Sequence, residues 1–80
     1  MTIDQMRERL QAAYPDATQQ GEIEVQDLTG TADHWQVSIT SRKFHGLSRI
    51  EQHQDVMQVF DDELKTGEVH ALTIKTKLKA

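Results

Sequence analysis

The absence of cysteine limits most strongly what this chain can fold into. None of its 80 residues carries a thiol, so it can form neither a disulfide framework nor a thiolate metal cluster of its own. A chain of this size buries only about 60% of its surface on folding. We therefore expect one compact core in which a small sheet packs against helices.

The first half of the sequence predicts a helix followed by a hairpin. Residues 3–13 repeat apolar side chains at helical spacing behind a Thr2–Gln5 capping box, and Pro15 ends this helix. Residues 22–28 and 35–40 alternate apolar and polar side chains, which is typical of half-buried strands. The short turn between them favours antiparallel pairing. Trp35 falls on the apolar face of the second strand, which predicts a core position rather than a stacking surface.

The second half predicts one long helix and a last strand. Ser48 is placed as the N-cap and Gly67 as the C-terminal cap of this helix. Its apolar stripe is predicted to comprise Ile50, His53, Val56, Met57, Phe60 and Leu64. The last strand is predicted to place His70, Leu72 and Ile74 on its core face. The acidic residues of the helix are expected on its solvated face, namely Asp55, Asp61, Asp62 and Glu63.

The order helix, strand, strand, helix, strand predicts a single α+β domain over residues 1–80. Its three-stranded sheet is expected to carry the helices on one face. The N-terminus has no basic region followed by an apolar core, and no apolar run approaches the roughly 20 residues that cross a bilayer. These features predict a cytoplasmic protein with no membrane contact. The net charge of −4 argues against strong nonspecific binding to nucleic acid.

Histidine is the residue type best suited to metal chemistry in this cysteine-free chain, because neutral imidazole keeps a free lone pair at pH 7. His70 opens an apolar strand, where it is either a metal ligand or a core-edge residue bonded to a backbone carbonyl. His53 lies on the predicted helix stripe and is a weaker metal candidate. His34 and His45 are expected at exposed strand ends or turns. No nucleophile–histidine motif or phosphate loop is present, which argues against an enzyme.

Several of these residues together form a recognisable pattern. Phe44-x-Gly46-x-Ser48-Arg49 is followed by His53 and Val56, then by Glu63-Leu64, and finally by Val69-His70-Ala71-Leu72. In this order and at these intervals, the chain resembles the BolA-like family over most of its length. The resemblance implies a fold related to the type II KH domain.

The resemblance also implies a partner and a cofactor. BolA-like proteins pair with monothiol glutaredoxins, and the heterodimer holds a [2Fe–2S] cluster through the glutaredoxin cysteine, glutathione and a ligand from the BolA-like chain. His70 matches the histidine most strongly associated with that role, which implies iron–sulfur trafficking or iron and redox regulation. Some members are DNA-binding regulators of cell shape and stress responses, so a KH-like DNA-binding regulator is the alternative.

The sequence departs from the family pattern at one ligand position. Many relatives carry histidine or cysteine in the turn between the first two strands, four residues before the tryptophan, where this chain has Thr31. His34 lies close by in sequence and is the possible second metal ligand, although strand alternation points it away from the face of Trp35. The helix also reads Glu51-Gln52-His53-Gln54, where many relatives have Arg-His-Arg.

A basic segment is the candidate surface for a partner or an anion. It comprises Arg42, Lys43, Phe44, Gly46 and Arg49. Such a surface suits contacts to phosphate, or to glutathione and the acidic rim of a glutaredoxin. The Gly-x-x-Gly loop with which KH domains clamp a nucleic-acid backbone is absent, so DNA binding is the weaker of the two uses. A homodimer is left open by the sequence.

Overall fold

The computed structural model describes all 80 residues of the chain. Its elements are α1 (Ile3–Ala13), β1 (Ile23–Asp27), β2 (His34–Ser41), a 3₁₀ turn (Arg42–Phe44), α2 (Arg49–Val59), α3 (Asp61–Thr66) and β3 (Ala71–Leu78). β2 is the central strand, antiparallel to β1 and parallel to β3. The parallel pair needs a crossover connection, and α2 and α3 supply it. The predicted α+β class and element order are confirmed.

One face of the sheet forms the core. β2 alternates strictly between half-buried and buried residues, and Trp35, Val37 and Ile39 are at most 1% exposed. The predicted antiparallel hairpin is confirmed, since Val25 pairs with Val37 and Ile23 with Ile39. The helices cover this face, and buried side chains of the helices and of the segments that flank them complete the core, namely Met6, Leu10, Tyr14, Phe44, Val56, Phe60 and Val69.

The predicted caps are confirmed, but the long second helix is not a single element. Capping boxes begin α1 at Thr2 and α2 at Ser48, and Gly67 ends α3 with a left-handed φ of 82°. The predicted four-turn helix breaks at Phe60, whose φ and ψ of −115° and 25° are not helical. Phe60 is fully buried at this break, so the core holds the side chain where the backbone turns.

The predicted apolar stripe of this helix is partly wrong. Val56 and Phe60 are buried, but Ile50 is 71% exposed and Met57 is 45% exposed. The inward face instead runs through the half-buried Gln52, so the helix is rotated relative to the prediction. Hydrophobicity alone cannot distinguish these two rotations, since apolar residues occur on both flanks. None of the helices is long and apolar enough to cross a membrane.

The last strand begins one residue later than predicted. β3 starts at Ala71, while Val69 is buried and His70 is exposed. Leu72 and Ile74 are half-buried on the core face, but His70 does not share that face, which corrects the prediction. The backbone explains the difference, because the N–H of His70 donates to the carbonyl oxygen of Asp33 just before β2 begins. His70 therefore lies beyond the end of the sheet.

Candidate metal-binding site

Two histidines that are distant in sequence lie side by side at one end of the sheet. His34 begins β2, and its partner in the parallel ladder is Ala71, the residue after His70. The centroids of the two imidazole rings are 6.0 Å apart, with the ring planes at 81°. The structure thus brings together the primary metal candidate, His70, and the possible second ligand, His34. Parallel pairing of β2 and β3 creates this proximity.

The carboxylate of Asp33 lies beside both rings. Its Oδ1 is 3.1 Å from Nδ1 of His34, and its Oδ2 is 3.6 Å from Nδ1 of His70. Nδ1 of His34 is buried and makes no aligned hydrogen bond, so this close oxygen is its polar neighbour. The carbonyl oxygen of Asp33 also accepts from the backbone N–H groups of His70, at 2.8 Å, and Ala71, at 3.3 Å. Asp33 therefore contacts the site through both side chain and backbone.

The loop between β1 and β2 is held by a second carboxylate. Asp27 accepts hydrogen bonds from the backbone N–H groups of Thr29, Gly30 and Ala32, at 3.0–3.3 Å. Ala32 has a φ of 61°, an uncommon backbone conformation for a residue with a Cβ. Its carbonyl oxygen accepts from the indole N–H of buried Trp35 at 3.2 Å. These bonds fix the loop that positions Asp33 and His34.

Thr31 takes part in this loop by binding Asp33. Its hydroxyl donates to Oδ1 of Asp33, and the hydroxyl of Thr29 donates to the same oxygen at 3.0 Å. These hydrogen bonds, that of Thr31 above all, together with the adjacent His34 ring, hold the pKa of Asp33 well below its usual range. The residue at the expected loop-ligand position thus stabilises a carboxylate beside the histidines.

The ring of His70 is open to a ligand. Its side chain is 58% exposed, against 43% for His34. Gly67 lies beneath the ring, and a Cβ at that position would come within 3.8 Å of Nε2 of His70. The absence of a side chain at Gly67 therefore leaves space around this nitrogen.

The donor set suits a metal centre completed by another molecule. The chain contains no group of three or more His, Cys, Asp or Glu side chains that could hold a metal ion. A [2Fe–2S] cluster needs four protein or thiol ligands, and two of them can be imidazoles. His70 and His34 can supply up to two ligands, which fits a cluster whose thiolates come from a partner.

His53 is placed in a different part of the molecule. It lies half-buried in a groove of about 440 Å³ between α2 and β3, together with Arg49, Gln52, Ile74, Lys75, Thr76 and Leu78. Neither His34 nor His70 lines this groove. The structure therefore separates the weakest of the three metal candidates from the other two.

The basic segment is only partly available to a partner. Arg42, Lys43 and Arg49 are exposed, and Gly46 turns the chain with a φ of 81°. Lys43, however, donates to the carbonyl oxygen of Ala13 at 2.8 Å. The prediction that Phe44 belongs to this surface is wrong. Its ring is fully buried and packs against Tyr14 with centroids 5.2 Å apart, so it belongs to the core.

Two of the acidic residues expected on the solvated helix face instead connect parts of the fold. Asp55 accepts a hydrogen bond from the buried Tyr14 hydroxyl at 2.6 Å. Glu63 binds Arg9 through both carboxylate oxygens at 2.9 and 3.1 Å, and this bond lowers the pKa of Glu63.

The sequence did not identify Asp33 as a site residue. The only signal for Asp33 in the sequence was its position directly before His34.

Known proteins are similar to this chain in sequence and in fold. The family model for BolA-like proteins matches residues 8–80. A protein from the rpoN–murA intergenic region of Acinetobacter guillouiae is 33% identical over 79 residues, covering 99% of this chain and 87% of that protein.

Solved structures agree with the sequence match. BolA1 from Arabidopsis thaliana superposes with a TM-score of 0.79 at 29% identity, covering 94% of this chain and 88% of the other. Yeast Fra2 superposes with a TM-score of 0.75 at 28% identity, covering 98% and 80%. The sequence match over residues 8–80 and the shared fold lead to one conclusion: the chain belongs to the BolA-like protein family.

Proposed function

We propose that this BolA-like protein is a non-enzymatic adaptor that binds a monothiol glutaredoxin and contributes His70 to a shared [2Fe–2S] cluster. Its role is then iron–sulfur trafficking or iron and redox regulation. The observation that supports this most is the pairing of two histidines at the open end of the sheet, 6.0 Å apart, in a chain with no thiol.

The residues of this chain have separable tasks in the proposed complex. His70 offers an exposed imidazole nitrogen, and His34 offers a second imidazole where Thr31 cannot act as a good iron ligand. The cluster itself supplies one-electron chemistry, and imidazole ligation raises its reduction potential relative to an all-thiolate cluster. The exposed Arg42 follows β2 at the end of the sheet opposite to His34. Arg42 and Arg49 therefore suit an acidic rim of the partner rather than the glutathione at the cluster.

Anaerobic reconstitution with a glutathione-loaded monothiol glutaredoxin tests this function. We expect wild-type protein to change the visible absorption and circular dichroism of the glutaredoxin cluster, and His70→Ala to abolish that change. His45→Ala is the matched control, because Nε2 of His45 lies 2.6 Å from the carbonyl oxygen of Lys79, outside the candidate site. A heterodimer that forms without any spectral change would contradict cluster ligation and leave a purely masking adaptor.

DNA binding is the second candidate, and the groove between α2 and β3 is the observation that favours it. Arg49 and Lys75 line this groove beside His53, which gives it a local positive charge. The net charge of −4 opposes this function over the whole molecule. A salt titration of duplex DNA binding, with Arg49→Ala and Lys75→Ala as variants, tests it. Affinity no tighter than about 10⁻⁴ M at low salt would be nonspecific and would reject it.

The remaining predictions concern location and assembly. The cytoplasmic location stays a prediction, and the proposed use of a thiol partner is compatible with that reducing compartment. Sedimentation of the isolated protein would test the homodimer that the sequence leaves open.

A further inference from the structure

We infer that Asp33 is a positioning residue that orients both histidines, turning Nδ1 of each ring toward its carboxylate and leaving Nε2 of each ring to bind metal. This inference rests on the proposed function only for the identity of the metal. The orientation of the rings is a property of the free protein.

The geometry around the carboxylate supports this role. Each oxygen lies near a different ring, with Oδ1 3.1 Å from Nδ1 of His34 and Oδ2 3.6 Å from Nδ1 of His70. Neither contact is an aligned hydrogen bond, so the negative charge of the carboxylate is what acts on both rings. A carboxylate can only accept hydrogen bonds, so the neutral ring tautomer that it favours carries its proton on Nδ1. The lone pair then resides on Nε2. Metal-binding histidines commonly have a carboxylate at the other ring nitrogen, which fixes both the tautomer and the ring orientation.

The surroundings hold Asp33 itself in place. The hydroxyls of Thr29 and Thr31 donate to Oδ1, and the adjacent loop is fixed by Asp27. On the opposite side of the site, Gly67 leaves space beside Nε2 of His70. The carboxylate therefore lies near Nδ1 of His70, while the side chain of His70 remains 58% exposed.

The position of Asp33 also explains how a chain with Thr31 at the usual ligand position retains an ordered site. The threonine hydroxyl does not replace the missing ligand. It anchors the carboxylate that orients His70 and, at the start of β2, His34. Two imidazoles then face outward from one fixed group.

Nitrogen NMR of the free protein tests this directly, at a pH where both rings are neutral. In wild type we expect the ¹⁵N shifts of His34 and His70 to show the proton on Nδ1 of each ring. In Asp33→Ala the order of the two ring-nitrogen shifts should reverse toward the Nε2-protonated form. Asp33→Asn keeps one acceptor oxygen and replaces the other by an N–H donor, so one of the two rings should reverse.

Asp16→Asn is the matched control, because it removes a hydrogen-bonded carboxylate at the opposite end of the sheet, where Asp16 accepts from Ser41 and Arg42. We expect it to leave both tautomers unchanged. Unchanged tautomers in Asp33→Ala would overturn the inference, and so would equal changes in the Asp33 and Asp16 variants. If Asp33→Ala does not fold, the Asp33→Asn spectrum decides, and two unchanged rings there would equally overturn it.

The glutaredoxin complex provides a second, separate readout. If the proposed function holds, Asp33→Ala should weaken cluster retention by about 10- to 100-fold, as is typical when the group behind a metal-binding histidine is removed. Retention equal to wild type would contradict a positioning role. Failure of the proposed function would instead appear as an unchanged cluster spectrum in His70→Ala, while the tautomers of the free protein still respond to Asp33.

Discussion

At the scale of single residues, the groups near the two ring nitrogens of a histidine decide whether that histidine can bind a metal. Nε2 of His45 already lies 2.6 Å from the carbonyl oxygen of Lys79, whereas His70 is exposed beside Gly67. The sequence singled out His70, and through the family resemblance it assigned that residue a role. It could not place His34 beside His70, because their proximity depends on the register of two strands that are paired in parallel.

Gly67 is predicted to protect access to His70 as well as to end α3. Gly67→Ala should destabilise the protein by about 1–2 kcal/mol, because alanine in the left-handed conformation is strained. Gly21→Ala should cost a similar amount, since Gly21 has a φ of 88° and open space around it. Thermal unfolding measures both changes.

Only the Gly67 variant should alter the reactivity of His70. Its added methyl group would lie 3.8 Å from Nε2. The rate at which diethyl pyrocarbonate modifies His70, followed by mass spectrometry, should therefore fall in Gly67→Ala and stay constant in Gly21→Ala. Equal rates of modification in the two variants would show that Gly67 affects only the backbone conformation and not access to His70.

At the scale of elements, patterning predicted which segments are helices and strands better than it predicted which faces are buried. The strict alternation of β2 allowed only one buried face, and the structure confirmed it. In α2 the apolar residues Ile50, Val56 and Met57 do not share one side of the helix, so two rotations were compatible with the sequence. Packing of Phe60 at the break between α2 and α3 selects one of them. Its backbone conformation had no sequence signal such as proline or glycine.

The observed rotation of α2 predicts different losses of stability when two of its apolar residues are replaced by alanine. Val56→Ala removes two buried methyl groups and should cost roughly 2 kcal/mol. Ile50→Ala should change stability by less than about 0.5 kcal/mol, because Ile50 is 71% exposed. Urea unfolding of both variants measures the difference. A larger loss for Ile50→Ala than for Val56→Ala would mean that the helix packs through the other face.

At the scale of the whole molecule, charged side chains connect segments that are far apart in sequence. Asp16 accepts from the backbone N–H of Arg42 and from the hydroxyl of Ser41, both at 2.8 Å. Glu22 binds Lys79 at 3.0 Å, which attaches the C-terminal end to the segment before β1. Local sequence patterns cannot predict such long-range pairs. For this reason the sequence predicted the strands of the sheet but not the polar contacts between distant segments.

These carboxylates predict that the protein loses stability in acid. Hydrogen bonds, chiefly from the backbone N–H of Arg42, lower the pKa of Asp16 in the folded state. The backbone N–H of Gln19 does the same for Glu22. Unfolded carboxyl groups titrate near pH 4, so below that pH the unfolded chain binds more protons than the folded one. The stabilisation is present above pH 4 and is lost as the pH falls through the lowered folded values.

Urea unfolding between pH 2 and pH 7 measures this dependence. Asp16→Asn should be less stable than wild type at pH 7 and should lose less stability on acidification. Asp4→Asn is the control, because Asp4 is exposed in the first turn of α1. An acid transition in Asp16→Asn identical to that of wild type would exclude Asp16 as a source of the acid sensitivity.

The central claim is that His70 binds iron in a cluster shared with a monothiol glutaredoxin. Pulsed electron paramagnetic resonance of the reduced heterodimer, with ¹⁵N-labelled histidine only in this chain, tests the claim most directly. We predict a directly bonded ¹⁵N coupling that loses the contribution of His70 in His70→Ala, is removed completely when His34→Ala is added, and persists in His53→Ala. A reduced cluster with no ¹⁵N coupling from this chain, or a coupling that His70→Ala leaves unchanged, would contradict the claim.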